Sequence, residues 1–237
     1  MNSNPLHILY TSNLRGSLDL LPRLHTFIRY LKSLPVDDEG DVMICAVQPQ
    51  TPSVYLLDLG NACASDIWHC TATDGRSTLI ALDAMGYHAA NVTNALTPES
   101  RTRLRDNLLG MALVDTASAW THENIEFTAN VTDKSFTPRP EGEAASVFSE
   151  RGVRAGLMIS LTPAATTHIT DNTLYLADLT VGQVGTAQVS FITGAPRLTA
   201  HAVFDVPLTT APDPTIAAAI DFIQSEARFY SRNQSTN

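Results

Sequence analysis

The stretch that decides the reading of this chain is His7-Ile8-Leu9-Tyr10-Thr11-Ser12-Asn13-Leu14-Arg15-Gly16. Its first half is a short apolar run, and its second half turns polar and ends on a glycine. Leu20, Leu21, Leu24, Phe27, Ile28 and Leu31 then recur at helical spacing, with Arg23, Arg29 and Lys32 on the other face. The pattern predicts a strand, a turn and a helix over Leu18 to Leu34. Asp19 is placed as its cap or first-turn charge, Pro22 is early enough to be tolerated, and Pro35 ends it. A strand-to-helix turn of this kind is where an open α/β sheet usually carries its chemistry. Asn13 and Arg15 are therefore the first candidate site residues.

Working outward, Val42 to Val47 reads as a second strand, with Cys45 as a small core residue. A loop bearing Pro49 and Pro52 leads to a buried strand over Val54 to Leu59, which ends in Gly60-Asn61. An amphipathic helix over Asp74 to Met85 is followed by Gly86-Tyr87-His88-Ala89-Ala90-Asn91-Val92-Thr93-Asn94-Ala95-Leu96. Several strand-to-helix turns in this order bring their tips to one rim of a sheet. Asn13, Arg15, Asn61 and Asn94 are expected to meet there.

These three stretches resemble, in order and interval, the first three motifs of the metallophosphoesterases, in particular the 5′-nucleotidase branch. The patterns are Thr-Asn-Asp-x-His-Gly, Asp-x-Gly-Asp and a Gly-Tyr-Asp-Ala strand leading to Gly-Asn-His-Glu. The resemblance runs from about residue 6 to about residue 117. It implies an α/β fold, a four-layer sandwich of two facing mixed β-sheets flanked by helices. In that family the acids and histidines of these motifs hold two catalytic metals and the substrate phosphate. Here Asn13 and Arg15 stand at the first pair of ligand positions, and Asn61 stands at the bridging position. Asn94 is retained, while Ala95 stands at the phosphate-binding histidine. Asn side chains offer neutral oxygens only, and a permanent guanidinium repels a cation. The resemblance is one of fold rather than of chemistry.

Further along, Thr97-Pro98-Glu99 opens a helix, and Met111 to Val114 and Ile125 to Ala129 read as short strands. Ser146 to Glu150 and Val153 to Leu161 read as a hairpin around Arg151-Gly152, similar to the strand that opens the second half of the family fold. The loop from Leu161 to Thr173 is too short for the family's segment with its remaining metal-binding histidines. His168 is a loop histidine on one reading and a remnant of that segment on the other. The second sheet should be reduced as a consequence. Leu174 to Leu179, Gly185 to Phe191 and Leu198 to Val206 read as the closing strands. Pro212-Asp213-Pro214 starts a last helix to Phe229. The whole of 1–237 reads as a single domain with its core at about 6–230, and without the C-terminal substrate domain of the nucleotidases.

Hydrophobic residues make up 44% and charged residues 16% of the chain, which is ample for a core. A formal net charge of −9 argues against nucleic acid and against an anionic membrane as partners. No apolar run reaches a membrane span, and Met1 to Pro5 has no signal-peptide character, so the expected compartment is the cytoplasm. Cys45, Cys63 and Cys70 do not form the even set of a disulfide framework, and Cys63 and Cys70 are expected to pack within a loop. With Asp66 and His69 they contain soft ligands, at a spacing that matches no common zinc pattern. Trp68 and Trp120 fit core, subunit contacts or a ligand platform equally.

Three functions follow from these residues. The first is a non-catalytic interaction subunit or homo-oligomer without a cofactor. The second is a module in which Arg15 and Asn94 hold an anion. The third is a divergent hydrolase whose divalent metal, such as Mn or Zn, is held by relocated ligands among Asp58, Asp66, His69 and His88. Asp58 is otherwise a turn-capping residue. Arg15 itself is either a buried plug in the old metal position or an anion site with an open guanidinium edge.

Overall fold

The computed structural model describes residues 5–34, 53–93, 95–106, 110–129, 156–192 and 194–234. The expected strand at 42–47 with Cys45, the segment 146–150 and Asn94 lie outside them. The architecture is mixed α/β, with two facing mixed sheets flanked by helices. In the first sheet β1 (Leu6–Thr11) is central. It pairs in parallel with β2 (Ser53–Asp58) and antiparallel with β10 (Gln183–Ile192). Beyond β2 come β3 (Ala89–Asn91) and β4 (Ala112–Val114), and β11 (Ala195–Asp205) closes the other edge. The second sheet has five strands of three or four residues each, in the order β5 (Trp120–His122), β6 (Ile125–Thr128), β7 (Leu157–Ser160), β9 (Thr173–Tyr175), β8 (His168–Thr170).

The strand period of two explains how β1 serves both layers. Leu6, Ile8 and Tyr10 face the second sheet and pack with Leu57, Phe127, Ile159, Leu174 and Val189. Leu9 faces the other way, into a cluster with Leu24 and Ile28 of α1 (Leu21–Ser33), Leu79 and Leu82 of α3 (Arg76–Ala84), and Ile216, Ile220 and Ile223 of α5 (Pro214–Gln234). Asp213 caps α5, accepting from the Thr215 and Ile216 N–H groups at 2.9 and 3.1 Å, while its own N–H donates to Pro22 O at 3.0 Å. Capping and docking of α5 on α1 thus occur at one residue. The helix at 18–34 begins as a 3₁₀ turn over Leu18–Leu20, and neither turn nor helix has a side-chain cap bond, so Asp19 is not a cap.

The turn and first arm of the expected hairpin around Arg151-Gly152 lie outside the described residues, and over Leu157–Ser160 the strand is internal, with β6 and β9 parallel on either side. One expectation about the second sheet is corrected. The segment from 161 to 173 is not a plain loop, because His168–Thr170 forms β8 and pairs antiparallel with β9. Its turn is Asp171-Asn172, at φ 49° and 59°, and the β5–β6 turn is Glu123-Asn124, at φ 48° and 66°. Positive φ at both central residues is the twist-matched hairpin turn that Asn and Asp tolerate. His168 therefore stacks on Tyr175, with ring centroids 4.8 Å apart, on an edge strand.

Tyr10 shows how closely the layers fit. Its side chain is fully buried and its hydroxyl lies 3.3 Å from Thr167 Oγ1 and 3.2 Å from His201 Nε2. Gly185 on β10 is its opposite number, and a Cβ there would overlap the ring. Gly185→Ala should destabilise the protein by about 1–3 kcal/mol, the usual cost of overpacking. Equilibrium urea unfolding checks this, and a midpoint equal to the parent's would show that the ring moves aside freely.

Candidate functional site

β1 and β2 end side by side, with Thr11 opposite Asp58. Backbone hydrogen bonding continues past the strand ends. Leu59 N–H donates to Thr11 O at 2.8 Å, Asn13 N–H to Gly60 O at 3.1 Å, Arg15 N–H to Asn61 O at 2.9 Å, and Gly16 N–H to Ala62 O at 2.7 Å. The two turns therefore form one rim, and Asn13, Arg15 and Asn61 hold left-handed φ of 54°, 52° and 57° to do so. Asn accepts this conformation readily, whereas for Arg it is uncommon. Such residues persist only where their surroundings over-determine them.

The Asn13 side chain is the hub of this rim. Its Oδ1 accepts from Asn61 Nδ2 at 2.9 Å, and its Nδ2 donates to Asp178 Oδ1 and to Leu179 O, both at 2.8 Å. Ser12 Oγ donates to Asp178 Oδ1 at 2.7 Å and accepts from Leu179 N–H at 3.0 Å. Asp178 and Leu179 lie on the connection from β9 to β10, so the network ties the second sheet to the first turn. Asp178 was not found from the sequence, because no motif surrounds it. Asn91, at the end of β3, is a second bridge that sequence reading missed in favour of Asn94. Its Nδ2 donates to Leu59 O at 3.1 Å and to Leu161 O at 3.0 Å, and its Oδ1 accepts from Thr93 N–H at 2.9 Å.

Arg15 is not a buried plug. Its guanidinium is 56% exposed and lies 3.8 Å from Asp66, itself 68% exposed. An exposed pair of this kind contributes at most about 1 kcal/mol. Only the backbone of Arg15 engages Asn61. Ala95 sits in the turn after β3, its N–H bonded to Val92 O at 3.0 Å and its carbonyl against Gly75, where a side chain would collide with it.

Asp58 is fully buried beneath the rim and caps the turn, with Oδ2 accepting from Gly60 N–H at 3.0 Å and Oδ1 from Thr11 Oγ1 at 3.2 Å. Tyr87 OH, 3.0 Å from Thr11 Oγ1, completes the buried group. Burial lifts the Asp58 pKa from 3.8 to about 7, against the opposing Gly60 and Thr11 hydrogen bonds. His88 lies at the other end of β3, where Nδ1 accepts from Leu56 N–H at 3.0 Å and burial lowers its pKa. His69 is buried between Gly16 O, 3.0 Å from Nε2, and Ser77 Oγ, 2.8 Å from Nδ1. Asp58, His69 and His88 thus do not form one ligand set. Among the described residues the grouping of three metal-ligand side chains is Cys63, His69 and Cys70.

Cys63 and Cys70 are joined in a disulfide, with Cα atoms 5.6 Å apart, contrary to the expectation of two thiols packed in a loop. Closing so short a loop stabilises the fold by about 2–3 kcal/mol in the chain-entropy account. Trp68 is half-exposed, with Arg228 of α5 over its ring at 6.0 Å, and Trp120 packs on Phe127 with centroids 4.7 Å apart.

No protein-family model matches the chain. No curated protein matches it either. Among solved structures it is similar to the calcineurin-like phosphoesterase YfkN from Bacillus subtilis, at 10% identity and a TM-score of 0.45, covering 98% of this chain and 100% of that one.

Two variants probe this geometry. Asn13→Asp turns a two-pronged donor into a carboxylate facing Asp178 and a carbonyl. It should cost about 1–3 kcal/mol at neutral pH and less in acid, as measured by unfolding at both pH values. For Asp58 the unfolded carboxyl ionises near 3.8 and the folded one near 7. Across that window the folded state holds the extra proton, so this group's contribution to stability falls as pH rises from about 4 to about 7. The fall is up to about 4 kcal/mol, for roughly three units at about 1.4 each. Asp58→Asn removes this titration. Relative to the parent it should gain stability between pH 4 and pH 8, and an unchanged difference would refute the assignment.

Proposed function

We propose that this chain is a degenerate metallophosphoesterase-like domain of the 5′-nucleotidase type that acts as a non-catalytic interaction subunit. The observation that carries this reading is the Asn13–Asn61 side-chain hydrogen bond, 2.9 Å long, at two positions where the resemblance puts metal-binding carboxylates. Two divalent ions held close together need anionic oxygens or imidazoles to offset their charge. Here the two amides satisfy one another, and Asn13 and Ser12 engage the Asp178 carboxylate, which leaves a self-contained clasp with one acid in place of the several anionic ligands a two-metal site needs. Association has support elsewhere on the surface. Phe222 and Phe229, seven residues apart on α5, are 70% and 62% exposed. That spacing puts them on one face of the helix. A second copy of this chain is the partner that can be tested directly. No described helix is long and apolar enough to cross a membrane. Cytoplasmic residence belongs to the proposal, and there the Cys63–Cys70 bond meets reducing thiols.

The anion-binding module is kept as a second reading on one observation, the open edge of the Arg15 guanidinium. Asp66 and Asp178, both near this rim, count against it.

The test is elemental analysis of the disulfide form, with a phosphomonoesterase and phosphodiesterase screen in manganese, zinc and nickel. The expected result is no bound metal and no turnover above the metal blanks. Turnover that disappears in Asn13→Ala or Asp178→Ala would sink the proposal in favour of a divergent hydrolase. Sedimentation over a concentration series tests self-association, which Phe222→Ser with Phe229→Ser should abolish. Arg15→Ala should melt within about 2 °C of the parent, as befits an exposed pair. If phosphate or sulfate raises the melting temperature of the parent and not of this variant, the anion module is the better reading.

A further inference from the structure

The loop after β2 gathers a second constellation, separate from the Asn13–Asn61 rim. Sγ of Cys63, Sγ of Cys70 and a ring nitrogen of His69 lie within 4.8 Å of one another. The short helix α2 (Trp68–Ala72) presents His69 and Cys70, and α3 presents Ser77 between them. Gly16 O can only accept a hydrogen bond, so His69 Nε2 carries the proton and Nδ1 holds the free lone pair. That lone pair is directed at Ser77 Oγ, 2.8 Å away. The same hydroxyl oxygen lies 3.4 Å from Cys63 Sγ and 3.9 Å from Cys70 Sγ. Ser77 Oγ therefore touches all three ligand-type atoms and marks the space on which they converge.

We propose that, when the Cys63–Cys70 bond is reduced, Cys63 Sγ, Cys70 Sγ and His69 Nδ1 form a zinc site, its fourth position falling to Ser77 Oγ or a water. Two thiolates and an imidazole are a donor set that suits zinc. The backbone carbonyl on the far ring nitrogen is the partner that a zinc-bound histidine usually has, fixing its tautomer and its orientation. In a tetrahedral site the two sulfurs stand about 3.8 Å apart, from Zn–S bonds of about 2.3 Å. With the Cα atoms 5.6 Å apart, they reach that separation by rotation about their Cα–Cβ bonds. Gly16 packs directly against the three groups' edge, since a Cβ there would stand 2.9 Å from Cys70 Sγ and 3.2 Å from His69 Cε1.

The exchange is chemically balanced. A dithiol reductant gives two electrons and two protons to the disulfide, becoming a cyclic disulfide itself and leaving two protein thiols. Zinc then displaces both thiol protons to solvent as the two Zn–S bonds form. Oxidation of the thiolates by another disulfide reverses the sequence and releases the ion. The loop thus has two stabilised states, one crosslinked by sulfur and one by metal.

The experiment uses the full chain, reduced with a phosphine, freed of reductant without air and titrated with cobalt(II), with the disulfide form as reference. Circular dichroism monitors the fold throughout. The expected result is stoichiometric cobalt in the reduced protein, with a thiolate-to-cobalt charge-transfer band and displacement by zinc, and neither in the disulfide form. His69→Gln should weaken cobalt binding by at least about tenfold while the variant still forms the disulfide. Reduced protein that stays folded without the band overturns the site. So does reduced protein that unfolds without binding, equal binding by both redox forms, or undiminished binding by His69→Gln.

Discussion

Strand β1 has to be buried on both faces, and the rest of the molecule is arranged to meet that constraint. Its odd and even positions feed two separate cores, one against the helices and one between the sheets. A strand in that position needs a full set of ladder partners, which β2 and β10 supply. It also needs its largest side chain accommodated, which is the task of Gly185 beneath Tyr10. The second sheet, with strands of only three or four residues, completes the inter-sheet core through Phe127, Ile159 and Leu174.

Where β1 leaves the core, its turn carries polar groups that can no longer use the ladder. Ser12 and Asn13 spend them on Asp178 and Leu179, so the point of greatest functional promise is also the clasp between the sheets. An amide suits this role because it donates and accepts at once. Asn13 takes the Asn61 donor on its oxygen and offers its nitrogen to a carboxylate and a carbonyl. A carboxylate at that place would face Asp178 without a proton or a cation between them. A second carboxylate lies beneath the rim, where Asp58 is neutralised in part by its raised pKa and held by Thr11 and Gly60. The positively charged group nearest the turn, Arg15, is turned out to Asp66.

The Cys63–Cys70 loop lies against the same first turn through Gly16. The loop is therefore held against the turn on which the candidate site is built, although the two groups share no side chain. Gly16 N–H is bonded to Ala62 O, one residue before Cys63, and Gly16 O receives His69. A loop fixed in this way can exchange one crosslink for another with its backbone in place.

The sequence by itself determined the elements that depend on local pattern. Alternation and apolar runs marked β1, β2, β10 and β11. Helical spacing marked α1, α3 and α5, and Pro212-Asp213-Pro214 marked the start of the last helix. It also determined that Asn13 and Asn61 would meet, because consecutive parallel strands put their ends on one rim. Tertiary structure alone decided the direction in which Arg15 points, since a long side chain on a left-handed turn residue can face the rim or the solvent. It decided that Asp178 and Asn91 join the sheets, because a hydrogen bond across 165 residues, as between Asn13 and Asp178, leaves no trace in local spacing. The Asp171-Asn172 hairpin and the internal place of Leu157–Ser160 were settled by pairing partners distant in sequence. The same holds for Cys63 and Cys70. Their spacing fits neither a disulfide framework nor a common zinc pattern, and only the packing of α2 and α3 against Gly16 brings the sulfurs, His69 and Ser77 to one point.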